Sequence, residues 1–199
     1  NVGAYGLLRM AYAIFPQQAA AAWFWIALIG AVTIAWGALV ALAQKDLKRL
    51  AAYSTVSQMG FVVLGLAVMT PMGSAGAMFQ MVAHGISAAL IFFVVGILFD
   101  RAHHREIPRL GGLWAQMPMY TGWAAVAMLT AMGFPGLCVF VGELLVLLGT
   151  FAAGRGGEGM SVVMKESGGT AYGALWWLAG LALAGLVVTA GYWLWTWQR

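Results

Sequence analysis

Charge is what this sequence has least of. Asp, Glu, Lys and Arg make up 8% of its 199 residues, against about 25% in ordinary soluble domains. So few ions cannot cover the surface of a water-soluble globule, and with 63% hydrophobic residues and a mean hydropathy of +0.88 the chain is expected to be an integral membrane protein. Cysteine is nearly absent as well. One residue, Cys138, excludes a disulfide framework and any cysteine-based zinc or iron–sulfur site, and its apolar surroundings read as those of a small buried hydrophobe. Residues 1–15 lack the charged first segment and small-residue cleavage site of a signal peptide.

What charge there is falls in tight clusters, separated by runs long enough for a bilayer core of about 30 Å, which needs roughly 20 helical residues. Residues 19–43 carry no charge and read as one span, closed by Lys45, Asp46, Lys48 and Arg49. A second span fills about 50–70, a turn at Pro71-Met72-Gly73-Ser74 follows, and a third span over about 75–99 is closed by Asp100, Arg101, Arg105, Glu106 and Arg109. The run from Met117 to Phe151 would be about 52 Å long as one straight helix, too long for a simple span. Pro135-Gly136 lies in its middle, so two half-helices joined by non-helical backbone are expected. Residues 154–170 read as a loop and about 171–197 as a last span, with tryptophans at both ends in the manner of an aromatic belt. Residues 3–15 are apolar but too short to cross alone. The expected fold is therefore an all-α polytopic transmembrane bundle with discontinuous helices, about five spans plus a half-helix, forming one transmembrane domain over 1–199. If 117–151 crosses once, Lys45, Lys48, Arg49, Arg101, Arg105, Arg109 and Arg199 share the cytoplasmic face against Arg155 and Lys165. The count does not decide between crossing and turning back.

Only Arg9 and Glu143 fall inside apolar segments. An ionisable group near the bilayer centre is costly and is by default a functional hypothesis. Glu143 lies about 16 Å below the loop at 154, His84 about 15 Å from Ser74 and Gln58 about 19 Å from Pro71, by helical rise. Gln80, His84 and Ser87 are spaced i, i+4, i+7, and Ser54, Ser57 and Gln58 are spaced i, i+3, i+4, so each helix carries a polar stripe. Two such stripes on antiparallel neighbours either line a hydrated path or hydrogen-bond helix to helix. Glu143 and His84 can both exchange protons, which favours a path. Arg9 either snorkels to the interface or joins the polar axis. His103 and His104 read as a solvated basic loop with no metal site, and Gly154-Arg155-Gly156-Gly157-Glu158-Gly159 as a flexible connection.

Three separated motifs carry a family resemblance. Gln44-Lys45-Asp46-Leu47-Lys48-Arg49-Leu50-Ala51-Ala52-Tyr53-Ser54, followed by Ser57-Gln58-Met59-Gly60-Phe61, resembles the signature shared by antiporter-like subunits of respiratory complex I, Mrp antiporters and membrane-bound hydrogenases. Phe79-Gln80-Met81-Val82-Ala83-His84-Gly85-Ile86-Ser87-Ala88-Ala89 is similar to the histidine-bearing helix of that family, and Gly133-Phe134-Pro135-Gly136 with Phe140-Val141-Gly142-Glu143 to its broken helix. Glutamate there resembles the M-type branch; most other branches carry lysine. The resemblance implies a subunit of a proton-pumping NADH:quinone oxidoreductase in which Glu143 and His84 transfer protons, with Gln58, Gln80, Ser54, Ser57, Ser87 and Asn1 lining the path. It implies no redox chemistry, cofactor or metal in this chain, and partners that are other membrane subunits, homologous antiporter-like chains among them, in a bacterial inner membrane, with no nucleic acid. Asn1 falls at the family's central lysine, and Gln58 where M-type chains often have a second histidine. The chain reads as a C-terminal-half fragment. Alternatives are a cation/proton antiporter or hydrogenase subunit of the same family, or a scaffold that has lost pumping.

Overall fold

The computed structural model describes residues 1–154 and 172–198. Its elements in order are α1 (Val2–Ile14), α2 (Pro16–Ala21), α3 (Trp23–Leu42), α4 (Leu47–Ala67), α5 (Pro71–Ala102), the single turn α6 (Leu113–Gln116), α7 (Pro118–Ala131), α8 (Cys138–Gly154) and α9 (Tyr172–Trp197). Among the described residues α3, α4, α5 and α9 are long and apolar enough to cross a membrane. A π-helical turn over Leu7–Ala11 interrupts α1.

Local chemistry fixes the helix ends. Asp46 caps α4, its Oδ1 accepting from the backbone of Lys48 at 2.8 Å and Arg49 at 3.1 Å. Thr70 caps α5 by accepting from Gly73 N at 3.0 Å, with Pro71 in the first helical position, where its missing N–H costs nothing. The expected turn at residues 71–74 is therefore the opening turn of α5. The chain reverses one step earlier, at Val68–Thr70, where Met69 takes φ of 47°. At the far end α5 continues past its expected limit through Asp100 and Arg101 to Ala102, because charged residues outside the apolar core are as compatible with helix as with loop.

Small residues set the packing. A Cβ at Gly30 would stand 2.8 Å from Leu64 N, and one at Gly60 would stand 2.8 Å from Gly30 O, so α3 and α4 meet backbone to backbone. The turn at 45–49 is tied to the 105–109 segment by Leu47 N donating to Arg105 O and Ile107 N donating to Lys45 O, both at 2.9 Å. That puts Lys45, Lys48, Arg49, Arg105 and Arg109 at one end of the bundle. Arg155, Lys165 and Arg199, together with most of the expected 154–170 loop and its glycine run, lie outside the described residues.

The broken segment crosses the bundle. Its start shares a pocket with Leu47 and Ile107 at the basic end, whereas Gly149 near its finish packs against Gly73 and Thr70 at the opposite end. The break is made by Gly133 before proline is reached. Gly133, at φ of +70°, donates to Thr130 O at 3.2 Å and Phe134 N donates to Leu129 O at 3.1 Å, the paired bonds of a Schellman helix stop. A second left-handed glycine, Gly136 at +99°, turns the chain into α8. The tryptophans of α9 divide: Trp177 is 83% exposed, as a belt residue would be, but Trp193 is buried beside Tyr192 in the core.

Candidate functional site

The α7 stop leaves terminal carbonyls without helical donors at mid-depth. One of them, Ala131 O, accepts from Gln58 Nε2 of α4 at 3.3 Å. The same nitrogen donates to Glu143 Oε1 of α8 at 2.8 Å, and Gln58 Oε1 accepts from Gln80 Nε2 of α5 at 2.7 Å. Four helices thus converge on one carboxyl. Glu143 is 1% exposed, and its second oxygen, Oε2, has no hydrogen-bond partner among the described residues. That oxygen lies against Gly133, where an added Cβ would collide with it. Glycine at 133 therefore both stops α7 and makes room for the carboxyl.

No cation faces Glu143 in any ion pair among the described residues; the two salt bridges there, Arg105–Asp46 and Arg109–Glu106, lie at the basic end. A carboxyl held only by neutral donors can take up or release a proton without breaking an ion pair. That is the chemistry the geometry permits.

His84 sits one turn beyond Gln80 on α5. Its Nδ1 lies 3.3 Å from Asn1 Oδ1, and Asn1 Nδ2 donates to Met81 O at 2.6 Å, so Asn1 is bonded to the histidine-bearing helix on both sides of its amide. His84 Nε2 has no partner among the described residues. The histidine borders a cavity of about 10 Å³ lined also by Ser54, Gln58 and Ser87, room for about one water molecule.

The structure brings together Glu143, Gln58 and Gln80 directly, and joins His84, Ser54 and Ser87 to Gln58 across that cavity. Ser57 points elsewhere: its Oγ donates to Ile34 O of α3 at 2.9 Å, a helix-to-helix bond on a different face of α4 from Gln58. Ser87 also donates to its own helix, to His84 O at 3.2 Å. Arg9 is exposed, in a groove shared with Asn1, Tyr5 and Met78. The described residues contain no cluster of His, Cys, Asp and Glu suited to a metal ion. Cys138 is half-buried at the start of α8.

Two residues of this region escaped sequence reasoning. Trp193 donates to Ser54 Oγ at 3.3 Å, and Tyr192 beside it is wholly buried. Both lie in the tryptophan-rich end of α9, where composition suggested an interfacial belt. The signal available was their one-turn offset from Thr189 and Thr196, both buried on the same helix.

Residues 1–164 match the family model described as NADH:quinone oxidoreductase/Mrp antiporter, transmembrane. Curated relatives include the NADH-quinone oxidoreductase subunit M of Rhodobacter capsulatus, 36% identical over 199 residues, covering all of this chain and 35% of the relative. The subunit M of Pseudomonas aeruginosa is 44% identical over 154 residues, 76% of this chain and 30% of the relative. The chain spans about a third of the length of these relatives. Among solved structures, the Mrp complex of a Dietzia species superposes with a TM-score of 0.80 at 23% identity, over 98% of this chain and 33% of the matched chain, a likeness of fold.

Proposed function

The chain belongs to the NADH:quinone oxidoreductase/Mrp antiporter transmembrane family, and from that premise we propose that it acts as an M-type proton-translocating subunit of an NADH:quinone oxidoreductase. Protons move through a hydrated mid-depth path, driven by electron transfer elsewhere in the assembly. The observation that carries this reading is Glu143: a carboxyl 1% exposed, at the junction of a broken helix, held by a carboxamide and by no cation among the described residues. Such a group alternates between neutral and charged forms as its surroundings change, which a carrier requires. His84, which lines a water-sized cavity, relays protons along the polar axis.

In this reading the chain holds no redox centre and contributes proton transfer alone. Its partners are the other membrane subunits of a complex I-like assembly, including homologous antiporter-like chains, and its site is a bacterial inner membrane. Replacing Glu143 with Gln in the full-length chain of the assembled complex is expected to cut proton pumping through this chain by about a hundredfold, the low end of what a general acid–base group contributes. Unchanged pumping would sink the carrier role.

A second reading, a scaffold of the same family that no longer pumps, is favoured by Asn1. Its neutral amide stands at the family's lysine position and bonds His84 and Met81 O, where it can orient water but not carry a proton. The Glu143→Gln measurement separates the two, and co-purification with an NADH-oxidising arm separates complex I from a hydrogenase-linked relative.

A further inference from the structure

Gln80 is placed as tightly as Glu143, and lining a path does not account for how it is held. It is wholly buried on α5 and donates through Nε2 to Gln58 Oε1, while its own Oε1 has no partner among the described residues. Gly142, next to Glu143 in sequence, packs against it so closely that a Cβ there would run into Gln80 Oε1. The Gln58 carboxamide has two orientations related by a half-turn of its last bond, and only one turns Nε2 toward Glu143. Gln80 Nε2 satisfies Gln58 Oε1 in that orientation and in no other.

We propose that Gln80 is a positioning residue, acting through Gln58, that gives the carboxamide chain from α5 to α8 a polarity matched to the charge on Glu143. The proposal rests on the reading of Glu143 as a proton carrier. With Glu143 ionised, both amides donate toward the carboxylate, as observed. When Glu143 holds a proton on Oε1, its O–H becomes a donor and the chain turns over: Glu143 donates to Gln58 Oε1, and Gln58 Nε2 donates to Gln80 Oε1, the atom now without a partner. No covalent bond changes, and the proton stays on Glu143. Carboxamides do not pass protons on, so this chain closes the direct route from Glu143 to α5. Exchange takes place at Oε2, the oxygen turned to the helix break at Gly133, and a half-turn of the carboxyl carries the proton between that position and the one facing Gln58.

The test uses the full-length chain in its assembled complex, with two readouts: NADH-driven proton pumping in sealed vesicles, and the infrared C=O stretch of protonated Glu143, identified by its loss in Glu143→Gln. Gln80→Met removes the donor while keeping the volume. It is expected to move the Glu143 band and to lower pumping about threefold, the size of one hydrogen bond. Gln58→Met should do the same, and the double variant should add nothing further, because Gln80 acts only through Gln58. A band that stays in place in Gln80→Met, or effects that add in the double variant, would overturn the proposal. If Gln80→Met fails to assemble, Gln80→Asn, which withdraws the amide by one methylene, must show the same band movement or the idea falls. Full pumping by Glu143→Gln would instead remove the carrier role, and the band in Gln80→Met would still report whether Gln80 orients Gln58.

Discussion

The basic end of the bundle and its middle treat charge in opposite ways. At the end, Arg109 and Glu106 pair at 2.9 Å with their side chains 66% and 57% exposed, and Arg105 reaches Asp46 at 3.9 Å with both side chains about a third exposed. In the middle a single carboxyl, 1% exposed, accepts from the Gln58 amide, lies against Gly133 and has no ion-pair partner among the described residues. Exposed pairs are screened and each contributes little, about 0 to 1 kcal/mol. A buried ionisable group is costly to hold, so the surrounding helices must be arranged around it. Charge at the end therefore marks the wet end of the bundle, and the buried charge in the middle is the one we propose for chemistry.

That contrast can be broken or sharpened in steps of decreasing size. Gly60→Val attacks the framework of the middle: its side chain would meet Gly30 O and Ile34 N at 2.8 Å or less. Overpacking of this kind costs about 1 to 3 kcal/mol, and loss of the assembled subunit from purified membranes is the expected result. His84→Ala is expected to slow coupled turnover, by less than the roughly hundredfold of a full general acid–base group because a relay can be bridged in part by water, while the assembled amount of the subunit stays near normal. Loss of assembly without a change in turnover per complex would show the histidine to be structural. Ser57→Ala removes a bond to Ile34 O, and should lower resistance to thermal unfolding in detergent by only about 0.6 kcal/mol, the average for interhelical bonds in membranes. Pumping should be unaffected, since Ser57 faces α3 and not the carboxyl. Arg109→Ala is expected to change stability by less than about 0.5 kcal/mol, read as an unmoved melting temperature. A large effect there would erase the distinction between the two regions.

Much of the scaffold was legible in the residues. Hydrophobic length gave the spans, and clustered charge gave their ends. A long apolar run interrupted by Gly133, Pro135 and Gly136 could not continue as one helix. Glu143 stood out because an acid within such a run is rare. Boundaries were read less well. Pro71 looked like a turn residue, but with Thr70 before it as a cap it starts a helix, a distinction that depends on one side chain's hydrogen bond to Gly73 N. The tryptophans of α9 looked interfacial as a class, yet Trp193 turns inward to Ser54 while Trp177 faces out.

By itself, then, the sequence determined what each segment could be and how deep each polar group lies, because helical rise and the thickness of the apolar layer are properties of a single helix. It also supplied the family's motifs. Only the tertiary structure decided what those polar groups meet. Ser57 and Gln58 are neighbours on α4, yet one bonds α3 and the other bonds α8, α5 and the end of α7. Which side of a helix faces which neighbour is set by close backbone contact at Gly30, Gly60 and Gly142, between residues far apart in the chain, and no local pattern encodes it.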